Sequence, residues 1–182
     1  VVDKGTDWKM TDLGKEDLVV CRITRPLIQL GFQMLRQKIP VRILGSDIGK
    51  GLTDLVKKCA GHSQDLDHMI ANIERWRDRE MTKAEAQNLY QKAGLIEDKA
   101  STLLMLAEML PEGERTVSGV IATLNTLFEE KGHRATLATV HKAKGLEADT
   151  VWWLDSHLCP SPWARQPWQQ EQERNIQYVA IT

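Results

Sequence analysis

The sequence lacks the features that would place it in a membrane or in an oxidising compartment. No apolar run approaches the about 18 residues that a membrane-spanning helix requires, and the first residues have no signal-peptide pattern. The three cysteines (Cys21, Cys59 and Cys159) are far apart and have no C-x-x-C spacing, so we expect free thiols and no metal site. These absences predict a soluble, cytoplasmic protein that does not contact a membrane.

The sequence also lacks an excess of charge of either sign. Lys and Arg total 24 against 25 Asp and Glu, which gives a net charge of −1. Without a global basic field, any binding of nucleic acid must come from a local patch. The 182 residues are 42% hydrophobic and 27% charged, as expected of one globular domain or of a domain that carries an insertion.

The N-terminal part predicts a βαβ unit. A short apolar run at Asp17–Arg22 is typical of a buried strand, and a helix follows in which Thr24 is a candidate N-cap and Pro26 lies in the first turn. Pro40 ends that helix, and Val41–Leu44 predicts a second strand. Strand, helix and strand over some thirty residues imply a parallel sheet.

The middle of the chain, residues 47–131, has helical periodicity almost throughout and no strand signal. Predicted helices include Asp65–Arg79, Leu95–Leu110 and Thr116–Lys131, the last closed by Gly132. Four or five helices between strands indicate an all-helical insertion in an α/β domain. Residues 157–167 follow as a Pro-rich loop, then a helix from Trp168 to Ile176 and a final strand at Tyr178–Thr182.

Residues 138–155 concentrate the polar chemistry. A β-rich run at 138–140 leads into the segment 141–145, and a second run, Val151–Leu154, ends at Asp155. Trp152 and Trp153 are adjacent in that run and should face opposite sides of the sheet, so core packing is favoured over stacking on a base. In a parallel sheet such a polar turn presents its side chains at the edge where ligands bind.

The ordered string TVHKAKGLE at 139–147 resembles motif V of the UvrD/Rep family of superfamily 1 DNA helicases. The residues QERNIQYVAIT at 172–182 resemble the start of motif VI of the same family. The strand ends Val20–Arg22 and Ile39–Gly45 also match its pattern. The resemblance implies a RecA-like second motor domain (2A) formed by residues 1–46 and 132–182, interrupted by a small helical 2B-like insertion at 47–131.

The same resemblance implies which residues contact DNA. Thr139, His141, Lys142 and Lys144 correspond to family positions that touch the DNA backbone, and hydroxyl, imidazole and ammonium groups suit phosphates. Arg22 and Thr24 end the first strand on the same edge, where the family has polar residues near the DNA strand; helix capping by Thr24 is the competing interpretation.

For the nucleotide, the resemblance implies that Gly145 and Glu147 approach ATP, with the glutamate facing the ribose. Arg174 matches the charged start of motif VI and is either a nucleotide contact or a surface residue. The family's arginine finger would follow Thr182, and the glycines at 45–51 do not fit the G-x-x-x-x-G-K-[ST] spacing. No catalytic residue and no ligand for Mg²⁺ is therefore assigned to this sequence.

Together these features predict the C-terminal motor domain of an ATP-dependent DNA helicase that moves 3′→5′ on single-stranded DNA and separates duplexes. ATP and Mg²⁺ would bind at the interface with an N-terminal RecA-like domain of the same protein. The starting Val1 and the apolar end at Thr182 suggest a piece of a longer protein, inactive by itself. Two alternatives remain: the helicase part of a recombination helicase–nuclease, and an inactive RecA-like scaffold whose helical insertion binds a protein partner.

Overall fold

The structure, a computed structural model, describes residues 8–14, 16–129 and 135–181. Its sheet has four parallel strands in the order β2-β3-β1-β4. The strands are β1 (Leu18–Cys21), β2 (Val41–Ile43), β3 (Ala135–Thr139) and β4 (Val151–Trp153). The helices are α1 (Thr24–Arg36), α2 (Ser46–Ala60), α3 (Leu66–Ala86), α4 (Tyr90–Met109), α5 (Val117–Leu127), α6 (Val140–Ala143) and α7 (Pro167–Ile181). The predicted α/β fold, a parallel sheet interrupted by a helical stretch, is confirmed.

Side chains cover both faces of the sheet, as buried parallel strands require. In β1, Val19 and Cys21 join the large core on one face, whereas Leu18 and Val20 join a smaller cluster on the other. The two adjacent tryptophans of β4 also separate as predicted, since Trp152 packs against the large core and Trp153 against the smaller cluster. Alternation along the strands therefore explains which side chains fill each layer.

The helical stretch α2–α5 packs directly onto the large core. Leu52, Met69, Leu103 and Leu124, one from each of these helices, are buried in the same cluster as Leu137 of β3. The helices and the sheet thus share one hydrophobic interior. The domain boundaries drawn before residue 47 and after residue 131 stay a prediction. Within the described residues, no helix is both long enough and apolar enough to cross a membrane.

The predicted final strand is wrong. Residues 178–181 continue helix α7, and Thr182 lies outside the described residues. The β-rich composition of this run suggested a strand, but packing decided otherwise, because Ile176 and Ala180, four residues apart on one helical face, contact the smaller cluster.

Several helix ends also differ from the predictions: α3 continues past Arg79 to Ala86, and α4 begins at Tyr90, before Leu95. The residue at the N-cap of α1 is Ile23, and Thr24 is the first helical residue. Val140, predicted at the end of a strand, instead begins the short helix α6. Helix α5 ends at Leu127, before the predicted end at Lys131, which together with Gly132 lies outside the described residues.

Close packing explains Gly49 in the first turn of α2. A Cβ atom built there would lie 2.6 Å from Cγ of Phe128, at the end of α5. The neighbouring Gly51 on the same helix has only Nζ of Lys99 within 4 Å, at 3.8 Å. The contact between α2 and α5 therefore requires a glycine at the first position and does not at the second.

These two glycines make a matched pair for testing the α2–α5 contact. We expect Gly49→Ala to lower the free energy of unfolding by about 1–3 kcal/mol, because the added methyl group overpacks against an aromatic ring. We expect Gly51→Ala to leave it unchanged or raise it by up to about 1 kcal/mol, because alanine favours the helix. Urea denaturation followed by circular dichroism measures both, and equal effects would contradict the packing described.

Candidate nucleic-acid interface

All four strands end at one edge of the sheet because they are parallel. Arg22 follows β1, Asp47 lies in the first turn of α2 after β2, and His141 and Lys142 follow β3. Asp155 follows β4 and has a positive φ of 49°. Polar and charged side chains from four separate parts of the sequence are thus gathered at the edge where α/β folds bind ligands.

The segment 140–147 after β3, called the basic turn below, begins with α6. It exposes most of the residues that were predicted to contact DNA or the nucleotide. Thr139 is buried, whereas His141, Lys142, Lys144 and Glu147 are exposed. The chain leaves α6 through Gly145, whose φ of 83° lies in the left-handed region. Nothing lies within 4 Å of a Cβ atom placed at Gly145, so the backbone of this turn is open to a ligand.

Lys142 forms an ion pair across the edge. Its Nζ lies 2.8 Å from Oδ1 of Asp47, and 39% of the lysine side chain is exposed. The hydrogen bond from Lys142 lowers the pKa of Asp47 below its usual value. A phosphate that approached this ammonium group would therefore compete with a carboxylate that is already charged.

His141 carries less positive charge near neutral pH than an ordinary surface histidine. Partial burial of the ring lowers the pKa of His141, and the nearby Arg22 charge lowers it further, whereas Glu173 acts in the opposite direction. At neutral pH the imidazole is mostly neutral. Its contact with a phosphate would be a hydrogen bond from a ring N–H.

Arg22 is held in a bidentate ion pair with Glu173 of α7. Nε of Arg22 donates to Oε2 of Glu173 at 2.9 Å, and a terminal guanidinium nitrogen donates to Oε1. The side chain of Arg22 is 18% exposed, and Glu173 as a residue is 2% exposed. The predicted contact between Arg22 and DNA stays a prediction, but the guanidinium group already has a partner.

Glu173 also accepts hydrogen bonds from the loop that precedes α7. The backbone N–H of Ser161 donates to Oε2 at 2.8 Å, and Sγ of Cys159 lies 3.6 Å from the same oxygen. Burial alone would raise the pKa of Glu173, but the bonds from Arg22, Ser161 and Cys159 hold it below the usual value. The carboxylate thus joins β1, the loop and α7.

The cysteines are free, as predicted, and all three are buried. Burial raises the pKa of the Cys21 thiol to about 12, and burial together with the charge of Glu173 raises that of Cys159 to about 11. Both thiols are therefore protonated and unreactive near neutral pH.

Thr24 is buried at the start of α1, and Asp98 of α4 caps this helix. The carboxylate of Asp98 accepts the backbone N–H of Thr24 at 2.9 Å and that of Arg25 at 3.1 Å. Sequence reasoning missed this cap because the two partners are 74 residues apart. The bond fastens the helical stretch to the edge of the sheet.

The three residues assigned to the nucleotide are exposed but lie on two different elements. Gly145 and Glu147 are in the turn after α6, and Arg174 is on the outer side of α7, next to the buried Glu173. An open glycine turn and an exposed carboxylate fit the ribose and phosphate groups of a nucleotide, so these assignments stay predictions. Among the described residues, no group of three or more His, Cys, Asp or Glu side chains could hold a metal ion.

Sequence reasoning did not select Glu173 as a site residue, although a local signal was present. Gln169, Glu173 and Gln177 recur every four residues and lie on the inner side of α7. Oε1 of Gln169 accepts the backbone N–H groups of Arg165 and Gln166, and Nε2 of Gln177 donates to the carbonyl of Cys159 at 2.9 Å. Polar residues at helical spacing, normally on the solvent face, mark here the buried face.

The fold and the site together define the class of protein. It is a parallel α/β domain with a helical stretch between its strands and a basic turn at the carboxyl edge of the sheet. Residues 48–182 match the family described as the UvrD-like helicase C-terminal domain, and the chain belongs to this family. No curated protein matches the sequence.

Two arginine–glutamate pairs test the importance of the buried carboxylate. Arg22→Ala leaves Glu173 charged and buried, and we expect the free energy of unfolding to fall by about 3 kcal/mol or more. Arg36→Ala removes an exposed pair with Glu114, in which both side chains are 52% exposed, and we expect a change below about 1 kcal/mol. Urea denaturation at neutral pH compares them, and similar losses would show that burial of the first pair has no special weight.

The same pair has a pH dependence. Because the pKa of Glu173 is lowered from 4.5, its contribution to stability is complete above that pH and is lost as the pH falls through the lowered value. Urea denaturation as a function of pH should therefore show a smaller loss of stability at acidic pH for Glu173→Gln than for the unmodified protein, and the same acid loss in both would contradict this role of Glu173.

Proposed function

We propose that this chain is the C-terminal motor domain of an ATP-dependent helicase or translocase that acts on single-stranded DNA. Membership of the UvrD-like family supports the class of protein. The observation that carries the proposal is the exposed turn after β3, where His141, Lys142 and Lys144 stand at the carboxyl edge of the parallel sheet. Groups of this kind contact the phosphate backbone without reading the base sequence.

In this proposal the two kinds of ligand meet different parts of one turn. His141, Lys142 and Lys144 contact the DNA backbone, while Gly145 and Glu147 lie toward the nucleotide. ATP with Mg²⁺ binds between this domain and an N-terminal RecA-like domain of the same protein, which supplies the phosphate loop and the metal ligands. The residues that contact DNA and those that contact the nucleotide are only a few positions apart in the sequence. Closure of the two domains around the nucleotide therefore shifts the residues that hold the DNA backbone.

Alternating closure and opening would then move the protein along the strand, with 3′→5′ polarity by family resemblance. Arg174 contributes to the nucleotide side from α7. An accessory protein that binds the helical stretch α2–α5 stays a prediction. The inner faces of these helices belong to the shared core, so such a partner would bind their outer faces.

Salt dependence of DNA binding tests the role of the turn. Each lysine that neutralises a phosphate of a single strand contributes about 0.7 to the slope of log affinity against log salt. We expect the double variant Lys142→Ala/Lys144→Ala to bind labelled oligo(dT) more weakly and to lose about 0.7 of slope per lysine. Fluorescence anisotropy between low and moderate salt measures both quantities.

The matched control removes two other lysines. Lys57→Ala/Lys58→Ala removes the same two positive charges, but from the last turn of α2. At 1.5 Å per residue, this turn begins about 15 Å along the helix from Asp47. This control should keep the slope of the unmodified protein. Equal slopes for the two double variants would contradict a specific phosphate contact at the turn.

A further inference from the structure

Helix α6, which carries His141 and Lys142, is too short to hold its own orientation. It spans only Val140–Ala143, and isolated helices of this length are unstable in water. Its buried residues Val140 and Ala143 pack in the smaller cluster with Ile176 and Ala180 of α7. The direction in which the two basic side chains point therefore depends on where α7 lies.

The position of α7 depends in turn on Glu173. The inner side of this helix is mostly polar, and Glu173 ties it to Arg22 at the end of β1. Arg22 directly follows Cys21, which pairs with Thr139, the last residue of β3 before α6. The contacts close a ring that runs from β1 through the ion pair to α7, then to α6, and through β3 back to β1.

We propose that Arg22 and Glu173 are positioning residues that set the orientation of α6 and so align His141 and Lys142 with the DNA backbone. This inference rests on the proposed function. The ion pair is the charged contact that links β1 to α7 in this closed set of contacts. The carboxylate of Glu173 is buried, so DNA would not touch it. The pair between Lys142 and Asp47 is exposed and joins α6 to α2, not to α7.

Charge and position predict opposite effects for one substitution, which makes the proposal testable. Glu173→Gln removes a negative charge close to an anion-binding edge, so electrostatics alone would tighten DNA binding. If the residue positions α6, the variant should instead bind oligo(dT) about tenfold more weakly, a size typical of coupled contacting groups. The salt slope should stay unchanged because no phosphate contact is removed.

A second variant keeps the charge constant. Arg22→Lys retains the positive charge but loses the bidentate geometry with the carboxylate. We expect it also to weaken binding without a change of slope. The controls Glu114→Gln and Arg36→Lys make the same two changes in the exposed pair and should bind like the unmodified protein. Circular dichroism and urea denaturation establish that each variant is folded at the temperature of the binding measurement.

The outcomes separate the two proposals. Unmodified protein that binds oligo(dT), with weaker binding by Glu173→Gln and Arg22→Lys, supports the positioning role. If the unmodified protein binds and Arg22→Lys binds equally well, or Glu173→Gln binds more tightly, the positioning role is overturned and the proposed function stands. If the unmodified protein does not bind single-stranded DNA, both are overturned.

Discussion

The buried carboxylate of Glu173 is the interaction on which the geometry of the edge depends. Four donors from two segments converge on it: two nitrogens of Arg22 at the end of β1, and the amide of Ser161 and the thiol of Cys159 in the Pro-rich loop. A buried charge is costly unless it is paired and hydrogen-bonded, and this one is both. Because helix α7 hides polar groups, it needs these partners in place. These partners fix the position of α7, and α7 packs against α6. The orientation of α6 in turn sets the direction of the side chains of the basic turn.

The helical stretch α2–α5 is joined to the sheet by more than chain connectivity. It shares the large hydrophobic core with β1 and β3, and Asp98 of α4 caps α1 at the carboxyl edge. The Pro-rich loop adds a third link, since a Cβ atom at Gly94 of α4 would lie 2.8 Å from the ring of Trp163. Movement of these helices relative to the sheet would break all three contacts, so we expect helices and sheet to move together.

Local signals in the sequence were sufficient for the strands, the amphipathic helices and the parallel sheet. They failed at residues 178–181, where a β-rich run is helical because α6, and not a neighbouring strand, is its partner. The basic turn was found through family resemblance, as composition alone indicated only anion binding. The ion pair of Arg22 with Glu173 joins positions 151 residues apart, and no local pattern in a single sequence specifies such a contact. The stripe of Gln169, Glu173 and Gln177 would have indicated which face of α7 is polar, but not that this face is buried.

The central proposal, that the chain is part of an ATP-driven motor that acts on DNA, is tested most directly by ATP hydrolysis. The measurement uses the longer protein proposed above, in which this chain is joined to an N-terminal RecA-like domain, with Mg²⁺, in the presence and absence of single-stranded DNA. Strong stimulation of the hydrolysis rate by DNA is the predicted result. A folded protein that hydrolyses no ATP under either condition would contradict the account and would favour an inactive scaffold whose helices bind a partner.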